Sequence, residues 1–496
     1  MAAAHKSSGK TTVMLGLARA LAGRGLGVQT FKKGPDYIDP MWHQRATGRV
    51  AYNLDFNTQS AGEITDMLAA KSVGSDIALI EGNMGFYDGV DIEGRDSNAA
   101  LAKLTGSPVI LVIDSEGMTR GIAPLLIGYR AFDPEVHIAG VVLNRVAGAR
   151  HEEKLRQAVE RYTQIPVVGT LPRSPSFALP ERHLGLTTPG ETGEVDAYLD
   201  RIAEAVTETF DLEALLSVAR LAAPLAPVVP APATPTPVQD RVTIAIARDR
   251  AFGFYYPDDL EALQGLGAEL VAFDTLHDTR LPQVDGLFIG GGFPETNMAA
   301  LAANVSLRGA IKAAIEAGLP TYAECGGLMY LTRAIRWGDQ TAEMVGVIPG
   351  EAVMHPRPQG RGQIVIEPMP GCPWSRYATP PSGGAWQVKA HEFHHASIAG
   401  LPEATCYAFR IARGRGIDGT HDGIVLHNML AAFAHQRSTQ SNRWAERFLA
   451  HVRAVKAERR PGPCPPFVRS ASGPLSPERA PGIFQAHRTQ LGERPL

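Results

Sequence analysis

Ala2-Ala3-Ala4-His5-Lys6-Ser7-Ser8-Gly9-Lys10-Thr11-Thr12, running straight into the apolar stretch Val13 to Ala22, decides how this chain is read. A loop of small residues closing on Gly-Lys-Thr at the start of a helix is a phosphate cradle. Ser7, Ser8 and Gly9 can turn backbone N–H groups toward a polyphosphate, Lys10 adds a point charge, and Thr11 offers a hydroxyl to Mg²⁺ at a helix N-terminus. Ser8, Gly9, Lys10, Thr11 and Thr12 are therefore candidate nucleotide ligands. The strict G-x-x-x-x-G-K-[ST] pattern has a glycine where this chain has Ala4, so the match is to a variant, and a Ser/Gly-rich helix cap is the alternative reading. Only Met1 to Ala4 precede the loop, against the roughly 5–6 residues of a usual buried strand. The expectation is a short first strand that weakens the central sheet, or a start set too far downstream.

Downstream of the loop, apolar runs alternate with helical segments. A helix is expected over Thr11 to Gly23, and strands over Val28 to Phe31, Ile77 to Ile80, Val109 to Ile113, Ile138 to Leu143 and Val167 to Gly169, with a loop at Pro180 to Leu186. That alternation means a doubly wound parallel sheet, whose ligands gather at the carboxyl ends of the strands. Two strand exits are unusually polar. The first is Lys32-Lys33-Gly34-Pro35-Asp36-Tyr37-Ile38-Asp39-Pro40, suited to phosphate and Mg²⁺. The second is Glu81-Gly82-Asn83-Met84-Gly85-Phe86-Tyr87-Asp88-Gly89, whose Glu81 is the candidate for a second Mg²⁺ contact. A solvated Gly/Pro turn is the alternative for the first.

With 496 residues, 44% hydrophobic and 20% charged, the chain has room for two or three ordinary globular domains. A formal net charge of -3 gives no global field for nucleic acid or an anionic membrane, and neither is expected as a partner. Cys325, Cys372, Cys406 and Cys464 are far apart, without zinc-type spacing, and no apolar run suggests a signal core or a span. A cytoplasmic location follows as an expectation. Prolines at 224, 227, 230, 232, 235 and 237 mark residues 218–239 as a linker between an ATP-binding domain at 1–217 and a second domain at 240–456. The second domain should hold strands Val242 to Ala247, Leu270 to Phe273 and Gly286 to Ile289, and helices Pro257 to Gly265 and Leu301 to Gly318. Residues 457–496, rich in Pro, Arg, Ser and Gly, are expected to be disordered.

A second chemical centre lies in Pro320-Thr321-Tyr322-Ala323-Glu324-Cys325-Gly326-Gly327-Leu328, a lone cysteine between a short strand and a helix. This is nucleophile-elbow spacing, and a helix N-terminus favours the thiolate. Gly291 and Gly292, after the strand ending at Ile289, can aim backbone N–H groups at an oxyanion. His435 is a candidate base for Cys325; a buried core thiol and a core or surface histidine are the alternatives.

Specific longer motifs accompany both centres: F-K-K-G-P-D-Y-I-D-P from Phe31, N-L-D from Asn53, E-G-N-M-G-F-Y-D-G from Glu81, L-N-R-V from Leu143, P-E-R-H-L-G-L from Pro180, F-G-F-Y-Y-P-D-D-L from Phe252, G-G-G-F-P-E from Gly290, Y-A-E-C-G-G from Tyr322 and H-E-F-H from His391. On these the chain, from about Ala3 to Ala450, resembles the cobyrinate a,c-diamide synthase family of tetrapyrrole glutamine amidotransferases. The resemblance implies a dethiobiotin-synthetase-like ATP domain joined to a class I glutamine amidotransferase-like domain with a Cys–His pair that lacks the usual third acid. Cys325 would attack glutamine with His435 as its base. The released ammonia would meet a carboxylate activated by ATP, with Mg²⁺ on Thr11 and Glu81. Lys32 and Asn144 would join the nucleotide ligands, and Asp36, Tyr37, Asp39, Tyr87 and Asp88 would face the acceptor. Cobyrinate or hydrogenobyrinate is the first acceptor, and a homodimer is possible within this reading.

Departures from the pattern bear on the acceptor. They are His5-Lys6-Ser7, Asn83, Asp96-Ser97-Asn98-Ala99, Lys389-Ala390 and the sequence Ala431-Ala432-Phe433-Ala434-His435-Gln436. They look closer to a branch associated with sulfur-oxidation gene clusters, with sirohaem as acceptor. Two readings of other classes are a P-loop ATPase switch, which has no use for Cys325, and a catalytically inactive binding protein; glutaminase activity separates them.

Overall fold

The computed structural model describes residues 1–179, 181–182, 185–189, 194–225, 241–377 and 386–459. The proline-rich stretch from 226 to 240, His183 of the P-E-R-H-L-G-L motif and everything beyond Arg459, Cys464 included, lie outside the described residues.

The phosphate loop leaves β1 (Ala2–Ala3) and enters α1 (Lys10–Gly23). The chain then alternates through β2 (Val28–Lys33), α2 (Ile38–Thr47), β3 (Tyr52–Leu54), α3 (Ala61–Ser72), β4 (Ile77–Glu81), α4 (Asn98–Thr105), β5 (Val109–Asp114), α5 (Ile122–Phe132), β6 (Ile138–Val146), α6 (Ala149–Thr163) and β7 (Val167–Pro172). These strands pair in parallel as two ladders, β3-β2-β4 and β1-β5-β6-β7. β1 is the seam between them. It registers with β5 at Ala2↔Leu111 and Ala3↔Val112, and reaches β4 only through Met1, whose amino group donates to the Ile80 carbonyl (2.8 Å) and whose carbonyl accepts from Gly82 N–H (2.9 Å). β1 is thus as short as expected, two residues, and forms its ladder with β5.

Most strands run further than their apolar runs predicted. β2 continues to Lys33 and β4 to Glu81, where Lys32 and Glu81 bury one another, and β6 continues to Val146, which stays in register with Pro172 of β7. α1 packs Val13, Leu17 and Leu21 against Leu199, Ile202 and Val206 of the helix Val195–Thr209, the alternate-face burial expected of a helix covering a parallel sheet. At the expected loop, residues 181–182 and 185–186 form a short antiparallel ribbon.

The second half is built on a nine-stranded sheet. Its parallel part runs in the order Ala268–Phe273, Val242–Ala247, Gly286–Ile289, Thr321–Glu324, Met429–Ala432. It continues antiparallel through His421–Leu426, Cys406–Arg413, Gly360–Pro368 and Val388–His394. One face is covered by Leu301, Leu307, Ile311, Ile315 and Leu328, the other by the helix Trp444–Arg459 through Trp444, Phe448, Leu449 and Val452. The single helix expected over Leu301 to Gly318 is two, Met298–Ala303 and Val305–Glu316. Asn304 breaks it: its side chain accepts from Leu307 N–H (3.3 Å) as an N-cap, and donates to the carbonyls of Thr275 (2.9 Å) and Asp278 (2.8 Å). Among the described residues no single helix is long and apolar enough to cross a membrane; the segments Pro294–Ala303 and Val305–Glu316, bent by 98°, pass together by length and composition only, and lie on the core.

The two halves interlock around Arg437, 1% exposed. Its guanidinium donates to Asn53 O (2.7 Å), Gln59 Oε1 (3.2 Å) and the Asp258 carboxylate (2.9 Å). Tyr52 OH to Glu261 Oε1 (2.6 Å) and Asn57 Nδ2 to Ala390 O (2.9 Å) extend the seam.

Candidate active site: two centres on one seam

The phosphate loop is held open by backbone left-handed turns at Ser7 (φ 66°) and Gly9 (φ 86°). Gly9 is required twice over, since a Cβ there would also stand 2.1 Å from Asn144 Nδ2. That amide donates to Ser8 O (2.8 Å), and Ser8 Oγ donates to His5 O (2.8 Å), so β6 clamps the loop from its far side. Lys10 Nζ donates to Met84 O (2.8 Å). A cavity of about 280 Å³ opens over Gly9, Lys10, Thr11, Thr12, Asn144 and Arg145, with Phe177 and Leu179 as its apolar wall.

Beneath the loop is a buried polar network. Register pairs Lys32 with Glu81 across β2 and β4, bringing Lys32 Nζ within 3.1 Å of Glu81 Oε1. Lys32 is also paired with Asp39. Thr11 Oγ1 donates to Glu81 Oε1 (2.6 Å), and His43 Nε2 lies 2.7 Å from Glu81 Oε2. Burial works against the Glu81 charge, but Lys32, His43 and Thr11 hold its carboxyl well below the usual range. Lys32 is likewise raised against its burial by Asp39 and Glu81. Lys10 is lowered to about 8 by burial and by its neighbour Lys32. Among the described residues no three His, Cys, Asp or Glu side chains converge as a metal cage. A threonine hydroxyl and a carboxylate are instead the sparse hard-oxygen set of Mg²⁺, an ion that keeps waters and takes phosphate oxygens for its other ligands, so these residues fit it.

The five candidate acceptor residues fall in three places. Asp36 and Asp39 stay with Lys32. Asp36 Oδ1 accepts from the N–H groups of Ile38 (2.9 Å) and Asp39 (3.0 Å), and its carboxyl is pushed up to about 7 by burial and by Asp39. Tyr87 and Asp88 sit in the loop after β4. Tyr87 OH donates to Tyr129 O (2.6 Å) within a cluster of Phe86, Tyr129 and Phe132, and Asp88 Oδ2 accepts from Gly85 N–H (3.1 Å). Tyr37 leaves this centre altogether and reaches the second one.

There, Cys325 occupies the turn between the strand Thr321–Glu324 and the helix Gly326–Leu331, at φ 48° and ψ −100°. A non-glycine residue in that conformation is strained. Cys325 N–H donates to Ala432 O (2.7 Å), tying the turn to the strand that leads to His435. His435 is bridged to His391, backbone to backbone (2.8 and 3.2 Å), and its ring stacks on that of His391 at 4.8 Å. A Cβ at Gly291 would stand 2.7 Å from His435 Cε1, which puts the Gly291–Gly292 strand directly against the imidazole. Gly290 N–H is taken by Tyr255 OH (3.0 Å) and Phe293 N–H by Ala251 O (2.8 Å). His435 Nδ1 faces Tyr37 OH at 3.3 Å and Glu324 Oε2 at 3.4 Å. Burial alone would lower the His435 pKa, but the neighbouring Cys325 and Glu324 push it up to about 10.

Four neighbours of the two centres, His43, Glu324, His391 and Arg437, were missed in the sequence, and a fifth, Asn98, was read only as a departure bearing on the acceptor. His43 lies one turn beyond Asp39 on α2, a spacing that could have announced it. Asn98 donates to Gly85 O (2.9 Å) and accepts from Asn83 N–H (3.0 Å), so this departure from the family pattern shapes the Glu81 loop from within. Glu324, His391 and Arg437 carry no local signal of their partners.

Residues 1–186 match the CobQ/CobB/MinD/ParA nucleotide binding domain, and residues 243–443 the CobB/CobQ-like glutamine amidotransferase domain. The chain is 43% identical over 454 residues to "Cobyrinate a,c-diamide synthase" of Magnetococcus marinus, covering 91% of this chain and 96% of that protein. Against the protein of the same name from Methanosarcina acetivorans it is 39% identical over 489 residues, covering 93% and 96%. Against that of Listeria monocytogenes serotype 4b it is 38% identical over 437 residues, covering 88% and 95%. With a nucleotide loop in one half, a cysteine elbow in the other and likeness along nearly the whole length of these relatives, the chain belongs to the cobyrinate a,c-diamide synthase family.

Proposed function

We propose that this chain forms amides on tetrapyrrole side-chain carboxylates, using ATP to activate the acid and glutamine to supply nitrogen, with the a and c carboxylates of cobyrinate or hydrogenobyrinate as acceptors. The observation that carries this reading is the stretch Lys32 to Asp39. Lys32 and Asp39 belong to the Thr11–Glu81 network, and Tyr37, between them in sequence, touches His435. A free-standing ATPase switch or a free-standing glutaminase has no need of such a stretch.

In the second half (240–456) Cys325 attacks the glutamine side-chain carbonyl, His435 protonates the departing nitrogen, and backbone N–H groups of Gly291 and Gly292 receive the oxyanion. In the first half (1–217) a carboxylate takes the γ-phosphoryl group of ATP, since a bare carboxylate is a poor electrophile, and ammonia then displaces phosphate from the acyl phosphate. Lys10 and Lys32 balance the phosphate charge, and Ser8, Gly9, Thr12 and Asn144 shape the loop that holds it. Thr11 and Glu81 would hold Mg²⁺, which supplies charge neutralisation at the transferring phosphoryl group. Asp36, Asp39, Tyr87 and Asp88 orient the acceptor around that group.

The departures at Asn83 and at Asp96 to Ala99 favour sirohaem as a second acceptor. The test incubates the protein with ATP, Mg²⁺ and glutamine against cobyrinate and sirohaem separately and weighs the products. Two amides gained on cobyrinate are expected; amides on sirohaem alone would reassign the acceptor, and none on either would refute the reading.

A further inference from the structure

A cysteine–histidine pair works when a third group fixes the imidazole, so that one ring nitrogen faces the nucleophile and the other carries its proton toward an acceptor. Downstream of His435 there is no carboxylate to do this. Gln436 Nε2 donates to Tyr322 OH (3.0 Å), and Arg437 is turned into the seam toward Asp258. The resemblance, too, implies a pair without its third acid. We propose that Glu324, the residue immediately before the nucleophile, is that acid: a positioning carboxylate that orients His435 and balances its charge. The inference rests on the reading of Cys325 and His435 as the glutamine-hydrolysing pair.

The backbone explains how neighbours in sequence can both serve one imidazole. Side chains alternate across a strand, so residues 324 and 325 in extended chain would point apart; the turn at Cys325 (φ 48°, ψ −100°) breaks that alternation. Glu324 registers with Ala432 on the adjacent parallel strand, three residues short of His435, which carries the histidine over the end of the sheet and onto the acid. Glu324 and His435 are each 3% exposed.

The carboxylate is itself held. Its Oε1 accepts from Tyr322 OH (2.5 Å) and Gln436 N–H (3.0 Å), leaving Oε2 to face His435 Nδ1 at 3.4 Å. That separation exceeds an ordinary N–H···O bond, and catalytic contacts commonly tighten only when substrate is bound. Tyr37 approaches the same nitrogen at 3.3 Å. It is no substitute, because burial raises its phenol well above the usual value and keeps it neutral, whereas an imidazolium needs a counter-charge.

In the reaction the Cys325 thiolate forms a C–S bond to the glutamine carbonyl carbon. The imidazolium gives its proton to the leaving nitrogen as the C–N bond breaks, and ammonia departs. Water, deprotonated by His435, then cleaves the thioester to glutamate and regenerates the thiolate and imidazolium. Glu324 keeps its charge throughout and takes no proton.

Glu324→Gln and Glu324→Asp are to be assayed with glutamine and with ammonia, alongside the pH dependence of Cys325 alkylation by iodoacetamide. For Glu324→Gln the glutamine-dependent kcat should fall by about 10²- to 10⁴-fold. Glutamine KM should stay within about threefold and ammonia-supported synthesis within about twofold. The alkylation midpoint should rise by about one pH unit or more. Glu324→Asp should recover part of the rate and most of the midpoint. Unchanged glutamine turnover in Glu324→Gln, or Asp and Gln variants equally impaired with a wild-type midpoint, would overturn the proposal. If Cys325→Ala keeps its glutaminase activity, the underlying reading of the site fails instead.

Discussion

Lys10 is poised by its surroundings to lose its charge close to physiological pH. Burial and Lys32 lower it to about 8, so above that pH the free protein must take up a proton to meet a polyphosphate. The ATP dissociation constant should therefore be flat below about pH 7 and rise toward about tenfold per unit above about pH 8, while Lys10→Arg binds with little pH dependence over that range. Isothermal titration across pH checks this. Lys10→Ala and Glu81→Gln should abolish amidation with either nitrogen source, the second because Thr11, Lys32 and His43 all converge on that carboxylate; product mass with excess ammonia is the measurement. Cys325→Ala should lose glutamine use and keep ammonia use. Lys10 and Cys325 were legible in the sequence because each sits in a local motif whose neighbours in sequence supply the geometry. Glu324 was not, because what gives it a role is a partner on another element, and His43 had only its one-turn spacing from Asp39 to announce it.

At the level of elements, the phosphate loop, β2 with α2, and the cysteine turn are rigid devices for aiming side chains. Gly9→Ala would need a left-handed non-glycine residue and would drive a methyl group into Asn144, so it should abolish nucleotide binding while leaving glutaminase activity in place; a fluorescent ATP analogue and a glutamate-release assay read the two. The alternating apolar runs made most of the parallel strands legible to within a few residues, but not β3 (Tyr52–Leu54) or Met429–Ala432. The strand ends escaped, because Lys32 and Glu81 look like solvent-facing residues until their pairing buries them. The helix break at Asn304 escaped as well, since what ends the first helix is a pull from the distant carbonyls of Thr275 and Asp278.

On the scale of the whole molecule, Arg437 is the buried charge on which the two halves turn. Removing it by Arg437→Met strands the Asp258 carboxylate and the Asn53 carbonyl, at a cost of about 3–5 kcal/mol. The urea midpoint should fall, and proteolysis at the seam should quicken. Nothing in the sequence pointed to this seam, since its contacts join residues some hundreds apart. Tyr37 stands on the same seam, and its ring is in contact with Phe254, Tyr256, His391 and His435 of the other half. A chimaera splicing residues 1–225 of one relative onto residues 241–459 of another must therefore match these five rings as a set. Two halves each sound in isolation but drawn from lineages that pack a different side chain at position 37 would meet with a hole or a clash beside the imidazole, and recombination within this family is constrained to exchange that aromatic set whole.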